Sequence, residues 1–171
     1  MILLPHGHSE FNLHLSATGR DPGIPDAPLT PLGHAQTEAA AAALAGEDIR
    51  RILCSPYTRA LQTTTPIARR LSLPITVTPT VRERYSASCD IGTARAELAL
   101  AWPALDFTAV EEVWWPAIEE PHDQFAARAA LFRAEMAALP DRAHVLVVCH
   151  WGFIHALTGR SLDNGAWLRL P

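Results

Sequence analysis

Lysine is absent from this chain: its 14 basic residues are all arginine, set against 18 acidic ones for a net charge of −4 over 171 residues. Neither the basic excess nor the basic stripe of a nucleic-acid-binding surface is present. Any bound anion must therefore be held by a few placed arginines and histidines. Long apolar runs are missing as well, none approaching the 18 or more residues of a membrane-spanning helix, and the N-terminus lacks the basic segment and extended apolar stretch of a secretory signal. No nucleic-acid partner and no membrane are expected, and cytoplasm is the expected compartment. Cysteine is scarce. Cys54, Cys89 and Cys149 are odd in number and form no Cys-x-x-Cys pair, which argues against a disulfide framework and a cysteine-rich zinc site. They read as buried thiols. Low-complexity tracts and internal repeats are also lacking.

What the chain does have is core material, with 49% hydrophobic and 19% charged residues, at a length that suits one domain spanning 1–171. Met1 to Leu4, Arg51 to Cys54 and Val145 to Cys149 are short apolar runs that end in turn formers, the pattern of buried parallel strands. Ile75 to Val77 is a further strand candidate. Between them, Pro31 to Ala45 carries apolar residues at helical spacing behind a Thr30-Pro31 start. Ser55-Pro56 predicts another helix start, running to about Leu71, and a third helix covers roughly Asp123 to Leu139. Strand and helix alternate, so the expected fold is α/β: a mainly parallel sheet between helices in a three-layer α/β/α sandwich. Residues 13–29, rich in proline and glycine, read as loop. Residues 85–121, with Trp102, Trp114 and Trp115, read as an irregular insertion or lid; its aromatic cluster is more often a satellite core than a ligand cage, although by position the stretch 102–115 is also a candidate for selecting the substrate.

Ligands of open parallel sheets bind beyond the carboxyl ends of the strands. Three polar residues fall at such ends: His6 after the first strand, Arg59 in the first turn after the second, and His150 after the last. Two imidazoles and a guanidinium at one sheet edge suit a tetrahedral oxyanion, since arginine donates in a fork that matches phosphate and histidine either donates or attacks.

Leu4-Pro5-His6-Gly7-His8-Ser9-Glu10-Phe11-Asn12 resembles the Arg-His-Gly-x-Ser/Thr-x-x-Asn signature of the histidine phosphatase superfamily, the phosphoglycerate mutase-like proteins. The likeness continues in order. Leu29-Thr30 through Gln36 resembles the family's Leu-Thr-x-x-Gly-x-x-Gln helix start, Ser55 through Thr63 its Ser-x-x-x-Arg-Ala-x-x-Thr segment, Arg82-Glu83-Arg84-Tyr85 its acid-bearing segment, and Val148-Cys149-His150-Trp151-Gly152 its second His-Gly motif. The resemblance implies a phosphoglycerate mutase-like fold and hydrolysis of a small phosphate ester through phosphohistidine. His6 would be the nucleophile, Arg59 and His150 would grip the phosphoryl oxygens, and Glu83 would protonate the leaving group and then activate water. Gly7, His8, Asn12, Arg84 and Trp151 are the candidate substrate-binding residues. No metal or other cofactor is expected, because arginine and histidine supply the donors that phosphoryl transfer requires.

Three positions depart from the pattern. Pro5 stands where the family has arginine, removing a guanidinium and a backbone donor together; a charge-assisted contact is worth about 1.5–3 kcal/mol. Trp151 replaces a frequent glycine, and His155 stands where arginine is common. Mutase activity is disfavoured, because between Arg84 and Pro121 only Arg95 is available to hold a second acidic group. A metal site on His6-x-His8 lacks a supporting carboxylate or cysteine at recognisable spacing. The expectation is a phosphomonoester hydrolase, with a pseudophosphatase that binds a phosphorylated or carboxylated ligand as its alternative. Oligomeric state is not readable from the sequence.

Overall fold

The computed structural model describes residues 1–170. In chain order its elements are β1 (Ile2–Pro5), α1 (Glu10–Thr18), α2 (Pro31–Leu44), β2 (Arg51–Cys54), α3 (Thr58–Leu71), β3 (Ile75–Val77), α4 (Arg95–Ala101), α5 (His122–Ala138), β4 (Val145–Cys149), α6 (Trp151–Thr158) and β5 (Leu168–Arg169). The sheet order is β3-β2-β4-β1-β5. Its first four strands are parallel, and β5 closes the edge antiparallel to Ile2 and Leu3.

Alternation along each strand sorts the core into two layers. Ile2, Leu4, Ile52, Cys54, Leu146 and Val148 face the layer that holds α2, α3 and α4, whereas Leu3, Leu53, Val145, Val147 and Cys149 face α5 and α6. The predicted three-layer sandwich is the fold observed. Cys54, Cys89 and Cys149 are buried and unpaired, as read. No helix among the described residues is long and apolar enough to cross a membrane.

Pro5 sits in a strand flanked on both sides, yet costs no ladder bond. The His6 amide donates to Cys149 O in β4, so the Pro5 nitrogen faces the opposite edge, where β5 pairs only with Ile2 and Leu3. Proline is tolerated where no partner strand requires its N–H.

Three local expectations are corrected. The segment expected to be loop from residue 13 is helical to Thr18: Ser9 and Asn12 form a capping box and Gly19 ends α1 at φ 67°. This helix buries none of its residues, so no apolar periodicity announces it. The helix expected from Ser55-Pro56 begins at Thr58, with Tyr57 as N-cap, because Ser55 continues the β2 ladder by donating its amide to Val148 O. The stretch 85–121 contains α4, although the rest is turns and a short 3-10 segment, Ser88–Asp90.

Candidate active site

His6 leaves the end of β1 buried, at 7% exposure. The loop beneath it is fixed by backbone proximity. The Gly7 amide donates to Thr63 Oγ1 on α3, and a side chain at Gly7 would place its Cβ 2.6 Å from Gly33 O at the start of α2, so only glycine fits. His6 Nδ1 lies 2.7 Å from Gly7 O. A carbonyl only accepts, so Nδ1 carries the proton and Nε2 keeps its lone pair. Burial, with the Arg59 charge adding to it, pushes the His6 imidazole down to about 3. At neutral pH the ring is uncharged.

Arg59 extends from the first turn of α3 and is also buried. Its guanidinium donates to Cys89 O at 2.7 Å and to Asp90 Oδ1 at 3.2 Å, and lies over the Tyr57 ring. Asp90 completes a tight cluster. Its Oδ2 accepts from the Ser86 and Ala87 amides, and its carbonyl accepts from the Tyr57 hydroxyl at 2.6 Å. Burial raises the Asp90 carboxyl above the usual range while Arg59 opposes the shift.

Glu83 is held by two amides. Oε1 accepts from Arg84 N, and Oε2 accepts from Gly152 N in the first turn of α6, both at 2.9 Å. A Cβ at Gly152 would lie 2.4 Å from Glu83 Oε1, so the glycine makes room for the carboxyl. Burial raises Glu83 above the ordinary carboxylate range against the pull of both amides. Arg128 braces this loop from α5, donating to Thr80 O, Arg82 O and Glu83 O and pairing with Glu120.

His6, Arg59, Glu83, Asp90 and Asn12 share a cavity of about 480 Å³, whose rim includes Arg84 and Trp151. His150 stands next to His6 but is not among the residues that line this cavity. Its ring is 5.2 Å from that of His6, but it is wholly buried behind it. Ser55 Oγ lies 2.8 Å from His150 Nε2, and Tyr57 packs edge-on against the ring, drawing it into the interior. Nδ1 of His150 has no hydrogen-bond partner. Burial holds this imidazole well below the ordinary histidine range.

The other candidates divide between the cavity wall and the loops behind it. His8 turns its ring to Thr30 Oγ1 and gives its amide to Gln36. Asn12 lines the cavity while its Oδ1 caps α1. Arg84 donates to Glu119 and to Glu120 O. The tryptophans of 102–115 belong to the core rather than to a substrate wall: Trp114 packs on Tyr57, and Trp115 on Trp114. Cys89 lines the cavity, but burial pushes its thiol up to about 12, so it stays protonated at neutral pH.

Sequence reasoning missed Asp90, which belongs to none of the quoted segments, and Arg128. Its place three residues after Phe125 and four before Phe132, on the apolar face of α5, was the available signal for the latter. Ser55 and Thr63 were inside a quoted segment but had been given no task.

The model of the "histidine phosphatase superfamily (branch 1)" matches residues 1–169. A glucosyl-3-phosphoglycerate phosphatase of Mycolicibacterium vanbaalenii is 30% identical over 96% of this chain and 76% of its own length, and one of Mycobacterium tuberculosis is 29% identical over 100% and 76%. Among solved structures, a mycobacterial glucosyl-3-phosphoglycerate phosphatase superposes with a TM-score of 0.65 at 25% identity, covering 98% of this chain and 87% of that one. An Escherichia coli structure described as a putative alpha-ribazole-5'-P phosphatase shares the fold, with a TM-score of 0.69 at 23% identity over 97% and 87% of the two chains. With its motifs in order, His6 beside His150, and this match over nearly its full length, the chain belongs to the histidine phosphatase superfamily.

Proposed function

We propose that the chain hydrolyses a small phosphomonoester through a phosphohistidine at His6. The observation that carries this reading is the state of the His6 ring: uncharged, with Nδ1 pinned by Gly7 O, on a residue that lines a cavity shared with Arg59 and Glu83. In the first step the Nε2 lone pair attacks phosphorus, the bond to the ester oxygen breaks, and the Glu83 proton passes to the departing alkoxide. In the second, water attacks the phosphoryl group as Glu83 takes a proton from it, and the P–N bond breaks to release phosphate and restore His6. A carboxyl raised by burial is suited to both transfers.

Arg59 would hold the equatorial oxygens, and His150 would donate from Nδ1, its one unpaired nitrogen, with Nε2 accepting from Ser55. Asn12 and Arg84 line the same wall. Gly7 and His8 serve instead by fixing the loop that carries His6. The reaction is expected in the cytoplasm.

A second reading has its own observation. With proline at position 5, and with Arg59 already matched by Asp90, the site offers less net positive charge than its motif implies, as a slow enzyme or a phosphate-binding pseudophosphatase would. Turnover of p-nitrophenyl, sugar and nucleotide phosphates and of glucosyl-3-phosphoglycerate, each against His6→Ala, separates the two. Activity lost in His6→Ala supports the enzyme; phosphate binding without turnover on any substrate supports the pseudoenzyme. A rise of tenfold or more in Pro5→Arg identifies the missing guanidinium as limiting.

A further inference from the structure

The rim of the cavity is chemically unlike its floor. Below lie the imidazole, guanidinium and two carboxyls; at the mouth stands Trp151, the first residue of α6, 53% exposed. Its indole lies face to face with His155, one turn on, with ring centroids 5.4 Å apart and planes 4° from parallel. Residues four apart on a helix meet in this way, and the result is a flat shelf. Phe11 from α1, Phe125 and Ala126 from α5, and Ala156 from α6 line the same cavity. A large apolar surface presented by several elements around one opening is the signature of a ligand wall.

Charge points the same way. Both arginines of the lining already face carboxylates, Arg59 with Asp90 and Arg84 with Glu119. A leaving group with its own acidic function would meet the Asp90 carboxylate without a surplus arginine to offset it. The volume of about 480 Å³ exceeds what a phosphoryl group fills, which leaves space over the shelf for a ring system.

We propose that the alcohol released from the phosphate ester is flat and apolar, and that Trp151 selects it by stacking. The proposal rests on the phosphatase reading of this same site and adds the substrate class. Aromatic rings favour offset stacking over and above the apolar area they cover, and the Trp151–His155 shelf holds one face ready. Its exposed position at the helix start makes Trp151 dispensable for the core.

The test compares 2-naphthylmethyl phosphate with glycerol 1-phosphate. Both release primary alcohols of similar intrinsic reactivity, so their ratio reports the leaving-group subsite. A kcat/KM ratio of at least tenfold in favour of the naphthyl ester is expected, falling below threefold in Trp151→Ala through KM, with Trp151→Leu between the two and the inhibition constant of inorganic phosphate unchanged. Equal use of both esters, or a ratio that survives Trp151→Ala, overturns the proposal while leaving the phosphatase reading intact. If neither ester nor any of the phosphates named above is hydrolysed the phosphatase reading fails, and the ligand class is then read from binding. 2-Naphthylmethylphosphonate is expected to bind at least tenfold tighter than methylphosphonate, and equal affinities overturn the proposal.

Discussion

Replacing Asp90 with asparagine separates the two partners that compete for Arg59. In the free protein Asp90 Oδ1 sits 3.2 Å from Arg59 Nη2, with both side chains almost fully enclosed. An incoming phosphoryl group would ask the same guanidinium for the same donors, and would meet the Asp90 charge beside it. At about 4 Å a pair of unit charges interacts by ~4 kcal/mol at an effective dielectric near 20. Even a third of that, about 1.4 kcal/mol, is tenfold in affinity. The asparagine amide also presents a specific cost. Its oxygen is committed to the Ser86 and Ala87 amides, so its NH₂ must face Arg59, donor against donor, and Arg59 retains only Cys89 O. The free variant should lose about 1–3 kcal/mol of stability and recover most of it when an anion binds. Calorimetric titration with inorganic phosphate should show at least tenfold tighter binding in Asp90→Asn, and phosphate should raise its Tm more than it raises that of the native protein. A folded variant that binds phosphate no better than the native chain would refute the competition.

Gly152→Ala places a methyl 2.4 Å from Glu83 Oε1 and forces the carboxyl off the amide that orients it. Steady-state kinetics should show kcat reduced about tenfold to a hundredfold, the worth of a charge-assisted hydrogen bond, with phosphate affinity kept. Stability should fall with acid before the carboxylates titrate. His6 and His150 have folded-state values below the unfolded value near 6.5, so the unfolded chain binds more protons as pH drops from about 7 to 5. Each histidine then removes up to ~1.4 kcal/mol per pH unit. Urea unfolding across that window should show the slope roughly halved in His6→Asn. The raised Glu83 and Asp90 act in the opposite sense, their stability cost relieved as pH falls through their raised folded values.

The parts of the fold that could be read from the residues are those where burial imposes a pattern. Val145 to Cys149 is buried on both faces of the sheet and reads as a continuous apolar run. α1 and β5 escaped because nothing imposes a pattern on them: α1 buries no side chain, and β5 is two residues that borrow their geometry from Ile2 and Leu3. The site divides in the same way. His6, Arg59 and His150 follow or open elements at the carboxyl end of the sheet, so topology alone brings them near one another. The depth of His150 depends on Ser55 and Tyr57, and the counterion of Arg59 comes from a 3-10 turn some thirty residues away. Pairings of that kind are properties of loop geometry, which no local periodicity encodes. The tryptophans of 102–115 show the converse: a conspicuous cluster that packs against Tyr57 and the core, while the tryptophan that lines the cavity is Trp151.

The most direct test is to quench the protein during reaction with a phosphomonoester and map any phosphoryl group by peptide mass spectrometry under basic conditions, where phosphohistidine survives. An acid-labile adduct on His6, absent from His6→Ala and, with p-nitrophenyl phosphate, whose leaving group needs no acid, accumulating in Glu83→Gln as water loses its base, is the predicted result. Hydrolysis that proceeds with no phosphoryl group on His6, or with the group on another residue, would contradict it.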